Sequence, residues 1–315
     1  MGKIGTESRR ADFIKGHMGG DEVVLLYGDQ MPKGREYEVA ESVLRKPSIG
    51  GHNSGLMWKS DAGGISLKIL DGTAGTYIGM CGGLTQVLGK ALVETDLADQ
   101  LGLSLTEPRT NMILETDVGS VGLDIRHQDG RMNRVYTDMT AFVENCYALG
   151  IEAIRVAEID AFRIGSFLVV NADAAKSAHP EVTFERMEDR ELRILQQAQR
   201  EYNEYIGKDQ ANFSLYDLHS LSHSGRLAFP HGLETRYYEP SCGTGTVAVG
   251  IAMVEAGELG CDGSITLSLE TGGDIYSIGG PDVMELGLDV HKGRVIHARI
   301  SHSLVEILAT GHLWI

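Results

Sequence analysis

Two cysteines in this chain sit in the same local sequence. Cys81 falls in Met80-Cys81-Gly82-Gly83-Leu84-Thr85, and Cys242 in Ser241-Cys242-Gly243-Thr244-Gly245-Thr246. With the cysteines superposed, Cys, Gly, Thr, Gly, Ala, Val and Glu recur in register as far as Glu94 and Glu255. The copies are offset by about half of the 315-residue chain. A repeat at half-length implies two like halves, each presenting one cysteine at the start of one helix.

A thiol in that position lies beside unpaired backbone N–H groups and the positive end of the helix dipole, and both favour thiolate. The dipole contributes roughly 0.3 to 2 kcal/mol, against about 1.4 kcal/mol per pKa unit. Placement alone can therefore bring a thiol from about 8.5 towards neutrality, where a proton-transfer group works best. If two such thiols converge, their charges repel and the pair tends to hold one proton between them. One base and one acid on opposite faces of a carbon is the arrangement that inverts a stereocentre. The amides after each cysteine, next to residues with little or no side chain, can approach a carboxylate and stabilise the carbanion formed beside it. The competing reading of one such cysteine is a small buried residue; the second copy in register tips the balance towards function. Cys146, inside a helical pattern, and Cys261, after a helix end, read as packing residues.

The helices that carry these cysteines are legible. After Cys81, residues Leu84, Val87, Leu88, Ala91 and Leu92 recur at helical spacing. After Cys242 the run Val247 to Val254 is apolar on every side, so it must be surrounded by protein, as by a curved sheet. Strand patterns are expected at Val23 to Tyr27, Gly64 to Leu70, Asn111 to Thr116, Ser120 to Ile125 and Arg134 to Tyr136. Pro47 to Gly55 reads as a glycine-rich loop, the residues before Val23 as a polar start, and Gln128 to Arg131 as a hairpin turn. Asp138 is expected to cap a helix ending at Gly150. In the second half, strands are expected at Ser166 to Val170, Glu234 to Tyr238, Ser264 to Leu269, Asp274 to Ile278, Val283 to Leu288 and Arg294 to Ser301. A charged outer helix runs from about Glu185 to Tyr205. The expected domains are 1–162, which also takes the strand near 303–315, and 163–302.

Composition narrows the classes of function. The 42% hydrophobic and 23% charged fractions are those of a globular protein. A formal charge of −16 argues against nucleic acid or an anionic membrane as partner, but leaves a small carboxylate-bearing substrate open, since backbone amides can hold it. Four cysteines without CxxC spacing suggest neither a disulfide framework nor zinc, and fit a reduced, cytoplasmic setting. No apolar run is long enough to span a bilayer; Met1-Gly2 with Thr6 matches a myristoylation pattern that nothing else supports. His219, His223 and His231 are spaced like ligands, yet Ser220 stands where a helical zinc motif needs Glu, so no metal is expected. No cofactor is expected either: the glycines at 243, 245 and 250 do not make a dinucleotide loop, and no lysine sits in a Schiff-base context. Whether the chain forms a homodimer is left open.

The strings around Cys81 and Cys242, with Pro47-Ser48-Ile49-Gly50-Gly51-His52 before the first, resemble the proline racemase and hydroxyproline epimerase family, within the diaminopimelate epimerase superfamily. The resemblance implies an α/β (α+β) fold of two pseudo-symmetric domains, each a curved or barrel-like β-sheet around a central helix, with the site in the cleft between them. It implies cofactor-independent chemistry with Cys81 and Cys242 as acid and base, and with Gly82, Gly83, Gly243, Thr244, Gly245 and Thr246 around the carboxylate. His52 falls where the family places a histidine near the substrate. Two positions depart. The family usually has His two residues after the first cysteine, where this chain has Gly83. It usually has Asp shortly before the second, where this chain reads Arg236-Tyr237-Tyr238-Glu239-Pro240. In the family those residues help hold the substrate's amine; Glu239 reads either as a substitute for the missing carboxylate or as a surface glutamate. Members that dehydrate 3-hydroxyproline typically lack one cysteine of the pair; this chain has both.

Three functions are then expected in turn: a two-base racemase or epimerase of an amino or imino acid, an isomerase or tautomerase shifting a double bond in an unsaturated carboxylic acid, and a binding protein that keeps the site without turnover.

Overall fold

The computed structural model describes residues 10–45, 47–182, 189–207, 211–218, 229–231, 237–239, 241–270 and 283–315. It is a mixed α/β, two-domain curved-sheet fold. The chain divides into two compact units, one formed by 1–18, 22–135 and 305–315, the other by 19–21 and 136–304.

In the first unit, hydrogen-bonded neighbours run in the order Val305–Trp314, Arg10–Met18, Asp21–Tyr27, Asn53–Lys59, Ile65–Asp71, Arg109–Thr116, Gly119–Gln128 and Arg131–Asp138. Two of these pairings are parallel: Asp21–Tyr27 with Asn53–Lys59, and Ile65–Asp71 with Arg109–Thr116. The sheet curls around the helix Gly82–Glu94, which packs against Arg10–Met18, Val305–Trp314, Gly119–Gln128 and Asn53–Lys59. Ten of that helix's thirteen residues are buried, among them the polar Thr85 and Gln86 as well as the apolar stripe. Gly89 makes the fit possible: a Cβ there would lie 2.6 Å from Val135 Cγ2. On the other face of the sheet, the helix Glu36–Leu44 buries Val39, Ala40, Val43 and Leu44 against Val24, Leu26, Leu56 and Leu70.

Three readings are corrected in this unit. The polar start contains the strand Arg10–Met18, in which Ala11, Phe13, Ile14 and Met18 are buried between the polar residues. The end of the glycine-rich loop is already strand, because Asn53–Lys59 begins inside it. The helix Glu36–Leu44 was not expected at all. The turn after Gln128 is as expected, with Asp129 and Gly130 at φ 53° and 69°.

In the second unit a four-stranded sheet runs Asn212–Tyr216, Phe167–Asn171, Ile159–Ile164, Ile151–Val156. Gly263–Glu270, Val283–His291 and Arg294–His302 form an antiparallel meander. The helix Gly243–Glu255 packs against members of both groups and against the helix Thr140–Leu149. Eleven of its thirteen residues are buried, in line with a sequence that lacks a polar face. Gly250, in register with Gly89, again sits at a close approach, 2.6 Å from Leu286 Cδ2 for an added Cβ. The amphipathic helix Asp189–Ile206 lays Leu195, Ala198 and Tyr202 on the outer face of the four-stranded sheet.

The division falls between Val135 and Tyr136 rather than between 162 and 163. The reason is local packing. Thr140–Leu149 lies on Arg294–His302, with Tyr147 Oη accepting from Val295 N at 3.0 Å, and Ile151–Val156 and Ile159–Ile164 complete the four-stranded sheet. Residues 303–315 do return to the first unit, where Val305–Trp314 pairs antiparallel with Arg10–Met18. The strand expected at 274–278, the start of the charged helix at 185–188, and Met1, Gly2 and Thr6 lie outside the described residues. No helix among those described is long and apolar enough to cross a membrane.

Candidate active site

Cys81 is the N-cap of its helix, with φ −139° and ψ 115°. Its extended backbone turns the side chain back over the first turn, so Sγ accepts from Leu84 N at 3.3 Å. A sulfur takes here the place that a Ser or Asp oxygen holds in a common N-cap. A second donor comes from the neighbouring strand: Asn53 Nδ2 lies 3.4 Å from Sγ. The helix is closed by Thr85 N on Cys81 O and by Thr85 Oγ1 donating to Gly82 O at 2.8 Å. Gly82 N and Gly83 N are left at the helix start without an intrahelical acceptor, where anions bind.

Cys242 repeats this geometry in the other unit, with φ −140° and ψ 116°. Its Sγ accepts from Gly245 N at 3.3 Å and lies 3.3 Å from Thr244 Oγ1. Thr246 Oγ1 donates to Cys242 O at 2.8 Å. Gly243 N and Thr244 N are the orphan amides on this side. The sequence repeat is thus a repeat of cap geometry, with a backbone donor and a side-chain partner at each sulfur. The side-chain partners differ. An amide N–H can only donate, whereas a hydroxyl can donate or accept.

The remaining expected residues fall as follows. His52 is half-buried at the entry to the strand Asn53–Lys59; its N–H donates to Glu22 O and its carbonyl accepts from Gly72 N. It is the next residue, Asn53, that reaches Cys81. Asn53 is 8% exposed, and its signal in the sequence was faint: one polar residue at the head of an apolar strand. Glu239 ends the short strand Tyr237–Glu239, paired with Phe229–His231; its side chain lies outside the described set. Ser241, fully buried just before Cys242, has an Oγ without a hydrogen-bond partner among the described residues.

Neither of the other cysteines shares this setting. Cys146 is buried within its helix, and burial pushes its thiol up to about 12. Cys261 is exposed, so the packing reading fails for it: it follows the helix end on a bend rather than in the core. His219 and His223 lie outside the described residues, and among those described no group of three His, Cys, Asp or Glu side chains is placed to hold a metal.

No family model and no curated protein matches the sequence. Solved structures do match over nearly its whole length. A hydroxyproline epimerase from Agrobacterium vitis, with bound trans-4-hydroxy-L-proline, is 16% identical with a TM-score of 0.66, over 97% of this chain and 93% of that one. A probable proline racemase from Agrobacterium radiobacter, with bound carbonate, is 14% identical with a TM-score of 0.68, over 96% and 92%. The chain has the proline racemase fold. That fold also extends to a methylitaconate-delta-isomerase, 12% identical with a TM-score of 0.61 over 98% of this chain and 96% of that one. At these identities the likeness is one of architecture, and the chemistry has to be argued from the residues.

Proposed function

We propose that this proline racemase-fold protein is a cofactor-independent isomerase that moves a proton at a carbon beside a carboxylate, with Cys81 and Cys242 as its base and acid. The single observation that carries the reading is the matched pair of cysteine N-caps, alike in backbone angles within a few degrees and each with a donor on sulfur. Chance packing has no reason to give two thiols the same cap geometry at the same point of two repeated helices.

In this mechanism the substrate's carboxylate sits on the orphan amides at the helix starts, Gly82 and Gly83 or Gly243 and Thr244. One thiolate removes the α-proton. The negative charge spreads into the carboxylate, where the amides and helix dipole stabilise it. The other thiol returns a proton, and delivery from the opposite face inverts the carbon. The preferred substrate class is an amino or imino acid of the proline or hydroxyproline kind. Support comes from both thiols being present and from the likeness to an epimerase with bound trans-4-hydroxy-L-proline.

A second reading keeps the machinery and changes the outcome: the proton returns to a different carbon, shifting a double bond in an unsaturated acid. Gly83 and the lack of Asp before Cys242 favour it, because both remove groups that would hold an amine, and a methylitaconate-delta-isomerase shares the fold. Incubating the protein in D₂O with a panel of amino, imino and unsaturated acids, followed by NMR, separates the two. Deuterium entering the α-carbon of amino or imino acids supports the first. Exchange confined to unsaturated acids supports the second, and no exchange with any acid contradicts both.

A further inference from the structure

Asn53 presents an atom that no described residue uses. Its Nδ2 donates to Cys81 Sγ, while Oδ1 is buried and has no hydrogen-bond partner among the described residues. With Cys81 as the thiolate base, the reversed amide would set Oδ1 against the sulfur, acceptor facing acceptor, so the orientation with Nδ2 on sulfur is the one that pairs donor with acceptor. A buried carbonyl without a donor is destabilising, and nearly all such groups in proteins find one. Both heteroatoms hang from a single carbon, so the vacant Oδ1 stays beside the sulfur that would take the substrate's proton. The residue is fixed there by its strand: its backbone is paired with Val23 on one side and Asp71 on the other.

We propose that Asn53 recognises the substrate's α-amine, with Oδ1 accepting its N–H while Nδ2 holds the Cys81 sulfur. The inference rests on the reading of Cys81 as a proton-transfer group, and it supplies what Gly83 and the missing Asp before Cys242 take away. One carboxamide would then fix the spacing between the nitrogen of the substrate and the thiol that attacks the neighbouring carbon. A neutral carboxamide in place of charged partners also favours a secondary, ring-held amine with few N–H groups to satisfy.

The test compares two flat acids that mimic the trigonal α-carbon. Pyrrole-2-carboxylate offers an N–H beside that carbon and furan-2-carboxylate offers a ring oxygen; their dissociation constants are measured calorimetrically on the full-length protein. The wild type is expected to prefer the pyrrole by about tenfold, the equivalent of one hydrogen bond. Asn53→Ala should bring the two within about twofold. Asn53→Asp keeps an acceptor and should keep the preference, while its negative charge beside Cys81 moves the pH midpoint for alkylation of that thiol upward. This arm also serves if the alanine variant does not fold. Equal binding of both acids by the wild type, or an undiminished preference in Asn53→Ala, overturns the amine acceptor and leaves the carboxylate grip standing. Binding of neither acid overturns both.

Discussion

The sulfurs of Cys81 and Cys242 each accept an N–H from the residue three positions on, which sets them apart from a thiol that is only packed. A neutral thiol is a weak acceptor, so the donors aimed at both sulfurs favour the thiolate form. The contrast with the other two cysteines gives a direct prediction. At pH 8 a thiol raised to about 12 is ionised to only about one part in ten thousand. Cys146 should therefore resist iodoacetamide in the native protein and react once it unfolds, whereas exposed Cys261 should react natively. Mass spectrometry of peptides from native and denatured samples reads both. At this scale the sequence was informative where chemistry repeats and silent where it depends on long-range contact. Cys81 and Cys242 announce themselves as a pair. Asn53 touches Cys81 across 28 positions, and no local pattern encodes that contact; the neighbouring His52 drew attention because the family carries a histidine there.

At the scale of elements, the two cysteine helices are matched in length, burial and the position of a glycine that lets a strand come close. The two glycines nevertheless have different neighbours. An added Cβ at Gly89 meets both Cγ atoms of Val135, at 2.6 and 2.9 Å, on a β-branched side chain held in a strand. At Gly250 it meets Leu286 Cδ2 and Leu288 Cδ1, the ends of longer side chains that can turn away. Alanine gains about 1 kcal/mol of helix propensity at either site, and overpacking costs about 1–3 kcal/mol. Gly89→Ala should therefore be destabilising by roughly 1–2 kcal/mol and Gly250→Ala close to neutral, as measured by urea unfolding; the reverse order would contradict the packing described. Both helices were legible because their apolar spacing is strong and uninterrupted. The strand Arg10–Met18 was not, because Asp12 and Lys15 interrupt its buried residues and one of those residues is the polar His17, which masks the alternation. The helix Glu36–Leu44 is short and begins without a side-chain cap, so neither its start nor its period stood out.

At the scale of the whole chain, the half-length repeat reported two like units, while their boundary had to come from packing. Tyr136 to Phe162 carries no repeat signal, and its assignment depends on Thr140–Leu149 resting on Arg294–His302. The first unit is built from both ends of the chain, and this has a mechanical consequence. Ending the chain after Leu304 removes Val305–Trp314, strips a partner from Arg10–Met18 and uncovers one flank of the Cys81 helix. Such a truncation should lower the thermal midpoint markedly and make Cys81 react with iodoacetamide faster than in the intact protein. An unchanged midpoint would mean that the C-terminal strand contributes little to that unit.

In the proposed function, one turnover needs both cysteines. The measurement that tests it most directly is turnover in D₂O by the wild type, Cys81→Ser and Cys242→Ser, using the acid in which the wild type incorporates deuterium and following the product by NMR. A serine hydroxyl is far too weak an acid and base to replace the thiol at neutral pH, so each variant should lose turnover by about 10²–10⁴-fold with its folding unchanged by circular dichroism. Wild-type turnover in either folded variant would contradict the account.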